Sequence, residues 1–238
     1  MTVEQLVSEW DRIESLATDA PRFIPVPSCP QWTIADLVEH VGRVYRFFAE
    51  MIRSGRERPF PFSEIPGPAA GAEIEWAAVG LKELVAEIKS RAPGDYAWSW
   101  SADKTVAWVT RRLTHETLVH RWDLENALGV GGETNATLAS DCIDEFITSF
   151  VLGRKTDSPL PSGSVHLHCT DTEGEWIAVV ESGSIAVRRE HAKGDVAVRG
   201  EAKSLALLLW RRLMLDDSDL EIFGDVNVAQ EFVSYARL

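Results

Sequence analysis

Hydrophobic and polar positions along this chain follow two different periods, and the change between them divides it. Up to about residue 152, apolar residues recur every three to four positions, the spacing of one buried helix face. Five helices are expected there, over roughly 2–18, 34–53, 72–91, 104–128 and 136–152. In "TIADLVEHVGRVYRFFAEM" the buried arc is Ile34, Leu37, Val38, Val41, Val44, Tyr45 and Phe48, with His40 on its flank. Thr33 precedes that helix as N-cap with Asp36 three residues on, a variant of the capping box. Pro- and Gly-rich stretches, "RPFPFSEIPGPAAG", "APGD" and "GVGG", separate the helices.

Beyond that point the grammar is that of strands. "SVHLHCTD", "EWIAVVES", "SIAVRREH" and "DVAVRGE" are short, rich in β-branched residues and parted by Gly-containing turns. "SLALLLWRRL" and "VNVAQEFVSYARL" read as helices. The expected organisation is a helical bundle over 1–155 and a small α+β domain over 156–238, joined through "GRKTDSPLPSG".

Composition narrows the function classes. At 45% apolar residues over 238 positions, the chain can bury a substantial core. A net charge of −13 leaves no broad basic surface for nucleic acid, and "VRRE" and "WRRL" are too short to make one. No apolar run is long enough to span a bilayer, and the acidic, amphipathic start is unlike a signal peptide. Cys29, Cys142 and Cys169 are odd in number and far apart, which fits reduced thiols in a cytoplasm.

Candidate chemistry concentrates in "RRLTHETLVHRWD". Its H-E-x-x-x-H is one residue longer than the zinc-protease motif. His115 and His120 diverge by roughly 140° on a helix and cannot grip one ion, so the protease reading fails. Glu116 and His120, at i and i+4, do share a face, and it is the face turned to the core. A carboxylate there is costly unless paired or bound to metal. If the bundle places His40 opposite, two imidazoles and a carboxylate leave a fourth position open, the composition of a catalytic zinc site. The plainer alternative is a hydrogen-bonded core histidine beside an ordinary Glu–His pair. On the same wheel His115 is expected at the surface, and Arg112 and Arg121 away from the centre of the core arc. His166 and His168 alternate with Val165 and Leu167 and are expected on a solvated strand face. Trp98, Trp100, Trp108 and Trp122 fit either a pocket lining or ordinary helix-junction packing.

"CPQWTIADLVEHVG", "RRLTHETLVHRWD" and "VAVRGEAKSLALLLWRRL…LEIFGD" resemble the family of mycothiol-dependent maleylpyruvate isomerases over almost the whole chain. The resemblance implies a DinB-like four-helix bundle with an extra helix, followed by a sterol-carrier-like α+β domain. It carries the family's metal ligands to His40, Glu116 and His120, with zinc the expected ion and mycothiol the thiol cosubstrate. It implies that the metal keeps the thiol as a nucleophilic thiolate that adds to an electrophilic small molecule. Cationic groups should hold substrate carboxylates, with Arg212 the first candidate and Arg211 the next; a helix-end role is the alternative for Arg212. Isomerisation of maleylpyruvate, thiol transfer to an electrophile in detoxification, and non-catalytic metal or ligand binding all remain open. No nucleic-acid or membrane partner is expected, and the chain should be a monomer or homodimer.

Overall fold

A computed structural model describes residues 1–153 and 159–235. It divides into two compact units, 1–132 and 133–238. The first holds four long helices: α1 (Val3–Asp19), α2 (Ile34–Ser54), α3 (Glu73–Lys89) and α4 (Val106–Leu128). Their starts follow from local chemistry. Thr2 and Gln5 close a capping box on α1, and Thr33 and Asp36 close the expected one on α2. The Thr105 hydroxyl accepts from the Trp108 amide at the head of α4. Gly55 and Gly129 end α2 and α4 in the left-handed conformation that glycine adopts without strain.

α2 packs along α3, and α4 lies against both α1 and α2. The core is Leu6, Trp10 and Ile13 of α1, the apolar stripe of α2, Leu81 and Leu84 of α3, and Val109, Leu113 and Leu124 of α4. The α2–α3 contact is closest at Gly42, where an added Cβ would meet the Cα of Ala77 at 2.7 Å. Arg46 spans the same seam, donating to the Trp76 carbonyl at 2.8 Å. The proline-rich connection before α3 includes a short 3-10 turn, Phe62–Glu64, that residue spacing alone left as loop.

The second unit begins with α5 (Ala136–Phe146), continued by a π-helical turn, Ile147–Val151. Five strands follow: β1 (Ser164–Cys169), β2 (Glu175–Glu181), β3 (Ser184–Arg188), β4 (Val196–Gly200) and β5 (Leu220–Gly224). Helix α6 (Ala202–Leu209) links β4 to β5, and α7 (Val226–Tyr235) closes the described chain. The sheet order is β3-β2-β1-β4-β5, with only β1 and β4 parallel. β5 was not among the expected strands, because "LEIFG" is a short polar–apolar run at the sheet edge. Among the described residues, no helix is long and apolar enough to cross a membrane.

The mixed α and α+β class agrees with the sequence reading. The expected boundary at 155/156 lies outside the described residues. α5 packs on α6, and Phe146 meets the Trp210 ring just past it at 5.1 Å, so the fifth helix falls in the second unit. Helical periodicity shows that a face is buried without showing which partner buries it. Gly42→Ala is expected to cost about 1–2 kcal/mol of bundle stability, because overpacking against backbone outweighs the ~1 kcal/mol helix-propensity gain. Chemical denaturation of the two proteins measures it.

Candidate metal centre

α2 and α4 bring three donors to one point. His40 Nε2 lies 3.2 Å from Glu116 Oε1, and His120 Nε2 lies 3.3 Å from the same oxygen. The three donor atoms lie within 4.8 Å of one another. Arg112, one turn before Glu116, donates to the other carboxylate oxygen at 2.9 Å. His120 Nδ1 faces Asp123 Oδ2 at 2.9 Å, and Asp123 is fully buried. A proton on Nδ1 leaves the Nε2 lone pair directed at Glu116 and His40.

The loop before α2 completes the surroundings. Ser28 Oγ donates to Asp123 Oδ1 at 2.6 Å. The Trp32 indole packs on the His40 and His120 rings, with centroids 4.6 and 5.8 Å apart. One turn along, Tyr45 and Thr117 share a buried hydroxyl–hydroxyl bond of 2.8 Å that ties α2 to α4.

Burial alone would raise the Glu116 carboxyl, but hydrogen bonds from His120 and His40 and the charges of His120 and Arg112 hold it well below the ordinary carboxylate range. Burial likewise works against a charged His120, yet its bonds to Asp123 and Glu116 push its pKa up to about 9. Such acidic surroundings suit a cation of any kind, whether proton or metal. The donor set fits a divalent ion: two imidazoles and a carboxylate, with a buried second carboxylate orienting one imidazole. In that arrangement His40, Glu116 and His120 would hold the ion.

A pocket of about 330 Å³ opens beside the triad. His40, Glu116 and Arg112 form part of its wall; Phe47, Phe48, Phe60, Phe62, Trp98 and Trp100 form much of the rest. The aromatic side chains brace one another, with Phe47 stacked on Phe62 at 4.8 Å and Trp100 edge-on to Trp108 at 4.8 Å. The bundle thus offers an apolar slot ending at a polar, cation-suited corner.

Several expected placements change. His115 is completely buried, as are most residues on all sides of α4, because α1 covers the flank that the wheel left open. On that flank Arg121 pairs with Glu9 at 2.6 Å and with Glu125 at 3.1 Å, so its role is to join α1 to α4. Arg112 is also buried and reaches into the centre. Its i,i+4 spacing to Glu116 was the available signal. Trp98 and Trp100 line the pocket, whereas Trp108 packs behind them. His166 is 5% exposed, not solvated. Arg212 and Arg211 lie in the second unit just past α6. Arg211 takes the left-handed position (φ 61°) of a Schellman turn and donates to the Val233 carbonyl at 3.1 Å. Arg212 Nη1 donates to the Trp210 carbonyl at 2.7 Å. These bonds are those of helix-end arginines, the alternative noted for Arg212.

A four-helix bundle with a His–Glu–His corner on an aromatic pocket, followed by an α+β unit, defines a two-unit protein with a candidate metal centre. The chain belongs to the mycothiol maleylpyruvate isomerase family: residues 3–125 match its N-terminal domain and residues 137–231 its C-terminal domain. No curated protein sequence matches the chain. Among solved structures, a UbiJ-SCP2 ubiquinone synthesis protein is 22% identical over 42% of this chain and 94% of its own, with TM-score 0.30. Sterol carrier protein 2 like 2 from Aedes aegypti is 18% identical over 42% of this chain and 98% of its own, with TM-score 0.33. A sec-alkyl sulfatase variant is 13% identical over 83% of this chain and 32% of its own, with TM-score 0.35.

Changing His40 and His120 together to Ala is expected to remove one divalent ion per chain, read by elemental analysis. His115→Ala should keep that ion, because its side chain belongs to the α1–α4 packing. Asp123→Asn should weaken binding by about 10–100-fold, the usual cost of losing a carboxylate that orients a ligand histidine.

Proposed function

We propose that the protein is a metal- and mycothiol-dependent enzyme of the maleylpyruvate isomerase type, in which a thiolate adds to an electrophilic small molecule. The observation that carries this reading is the convergence of His40, Glu116 and His120 beside an apolar pocket, in a chain of that family. A divalent ion held by these residues, zinc by its donor set, would supply a Lewis-acid position that keeps a thiol deprotonated at neutral pH. Asp123 fixes the His120 ring, Arg112 balances the charge of Glu116, and Trp32 limits motion of both imidazoles. The aromatic wall excludes water and takes the body of the electrophile.

The chain's own thiols are poorly suited to the attack. Cys142 is fully buried, and burial, aided by the charge of Asp171, pushes the Cys169 thiol up to about 11. Cys29 Sγ lies 3.9 Å from the Asp123 carboxylate, whose negative charge disfavours a thiolate. These placements support a thiol from solution as the nucleophile of the proposed reaction.

The pocket lining favours a second reading of the same site, transfer of mycothiol to an aromatic or otherwise apolar electrophile. Maleylpyruvate presents carboxylates, but Arg112 is the only arginine or lysine in the described pocket wall and is engaged by Glu116. Arg212 and then Arg211 remain the proposed carboxylate holders of the isomerase reading. A non-catalytic role in binding a metal or small ligand is the third reading.

Turnover of maleylpyruvate and of a simple aromatic electrophile, with and without mycothiol, separates the three. Activity is expected only with thiol, and should persist when Cys29, Cys142 and Cys169 are all replaced by Ala. Thiol-independent turnover would overturn the mechanism; no turnover of any electrophile would leave the binding role. Trp98→Ala should raise KM for an aromatic electrophile on the order of tenfold, about 1.4 kcal/mol of lost apolar contact.

A further inference from the structure

The second unit carries a denser group of metal-ligating side chains than the bundle. His166 and His168 project from the same face of β1, two residues apart, while Val165 and Leu167 turn to the face covered by α6 and α7. Glu175 opens β2 directly opposite His168 in the antiparallel ladder. His191 arrives from the connection between β3 and β4. Those strands flank the β2–β1 pair, so the connection must cross it, and the crossing brings His191 to β1.

The donor atoms crowd together. His166 Nε2 lies 3.2 Å and His191 Nδ1 2.7 Å from Glu175 Oε2. His168 Nδ1 lies 2.9 Å from Glu175 Oε1, and all four ligand atoms fall within 4.8 Å of one another. Glu175 thus faces three imidazoles at once. His168 Nδ1 is shut off from solvent, yet despite its closeness to Glu175 it makes no hydrogen bond among the described residues. A buried polar atom left in that state calls for an explanation, and an unplaced ion is one. Arg199, beside His168 on β4, does not fill the role, since its guanidinium pairs with Glu221 at 3.5 Å.

We propose that His166, His168, Glu175 and His191 form a second divalent-metal site, a closed zinc site that fastens the β3–β4 connection to the sheet. Imidazole and carboxylate donors select zinc and its late first-row neighbours over magnesium or calcium. Zinc bonds of about 2.0–2.1 Å put tetrahedral ligands roughly 3.3 Å apart, close to the separations from Glu175 already present. Four protein ligands fill a tetrahedron and leave no place for substrate, so the role is structural, unlike that of the three-ligand corner in the bundle. An entry path exists: Glu175 also lines a wide surface hollow of about 620 Å³, and His191 is largely exposed.

The test uses the full chain with zinc as the probe. After stripping, reloading and gel filtration, wild type is expected to hold two zinc ions per chain by elemental analysis. The His40→Ala, His120→Ala protein should hold one, His168→Asn with His191→Ala should hold one, and the four-fold variant none. His191→Ala alone, an exposed position that does not endanger folding, should weaken the second equivalent by more than the roughly 10–100-fold typical of losing an outer-shell partner. Zinc should also slow amide exchange over residues 189–195 in wild type and in the His40→Ala, His120→Ala protein, but not in His191→Ala. The proposal is overturned if the His168→Asn, His191→Ala protein holds as much zinc as wild type. It is equally overturned if the His40→Ala, His120→Ala protein holds none, or if zinc leaves exchange over 189–195 unchanged.

Discussion

A carboxylate inside a helical bundle is the constraint on which the first unit depends. Removing Glu116 from bulk water costs several kcal/mol if nothing compensates it. Here Arg112 takes one oxygen while His40 and His120 take the other. That arrangement is possible only if α2 presents His40 across from Glu116 and His120 of α4. The Tyr45–Thr117 bond and the tight α2–α3 seam at Gly42 hold α2 in that place. The loop before α2 is drawn in as well, through Ser28 and Trp32. The polar corner therefore organises the bundle as much as the bundle organises the corner.

The pocket beside it has the opposite character. Aromatic rings from α2, from the proline-rich connection and from the segment ahead of α4 build a slot with few polar groups. An apolar slot ending at a charged corner strengthens electrostatics at the corner, because fewer waters compete there.

The second unit solves a related problem with a sheet. A strand places residues two apart on one face, so His166 and His168 reach the same side as Glu175 across the ladder. In the bundle the corresponding spacing is four, from Glu116 to His120. Each unit concentrates imidazole and carboxylate by the period of its own backbone. The difference lies in the number of candidate donors, three in the bundle and four on the sheet.

Periodicity by itself determined that residues 1–132 contain four long helices, that Thr33 and Asp36 start α2, and that Glu116 and His120 share a core-facing side. These are local properties of a chain wound at about 3.6 residues per turn, and they need no partner to be legible. His40 on the flank of its own arc could lie opposite that pair, and the family resemblance implied a ligand there; the bundle puts His40 Nε2 3.2 Å from Glu116 Oε1. Tertiary structure alone decided the fate of the other side of α4. A wheel turns His115 to the far side of α4 and Arg112 and Arg121 away from the centre of the core arc, yet all three are buried: Arg112 reaches Glu116, and Arg121 pairs with Glu9 of α1 and with Glu125. The same holds for α5, whose partner is α6, and for His191, 23 and 25 residues from His168 and His166 of β1 until the β3–β4 connection crosses them. A sequence states which face must be buried; only the fold decides what buries it, because that choice is made by contacts between segments distant along the chain.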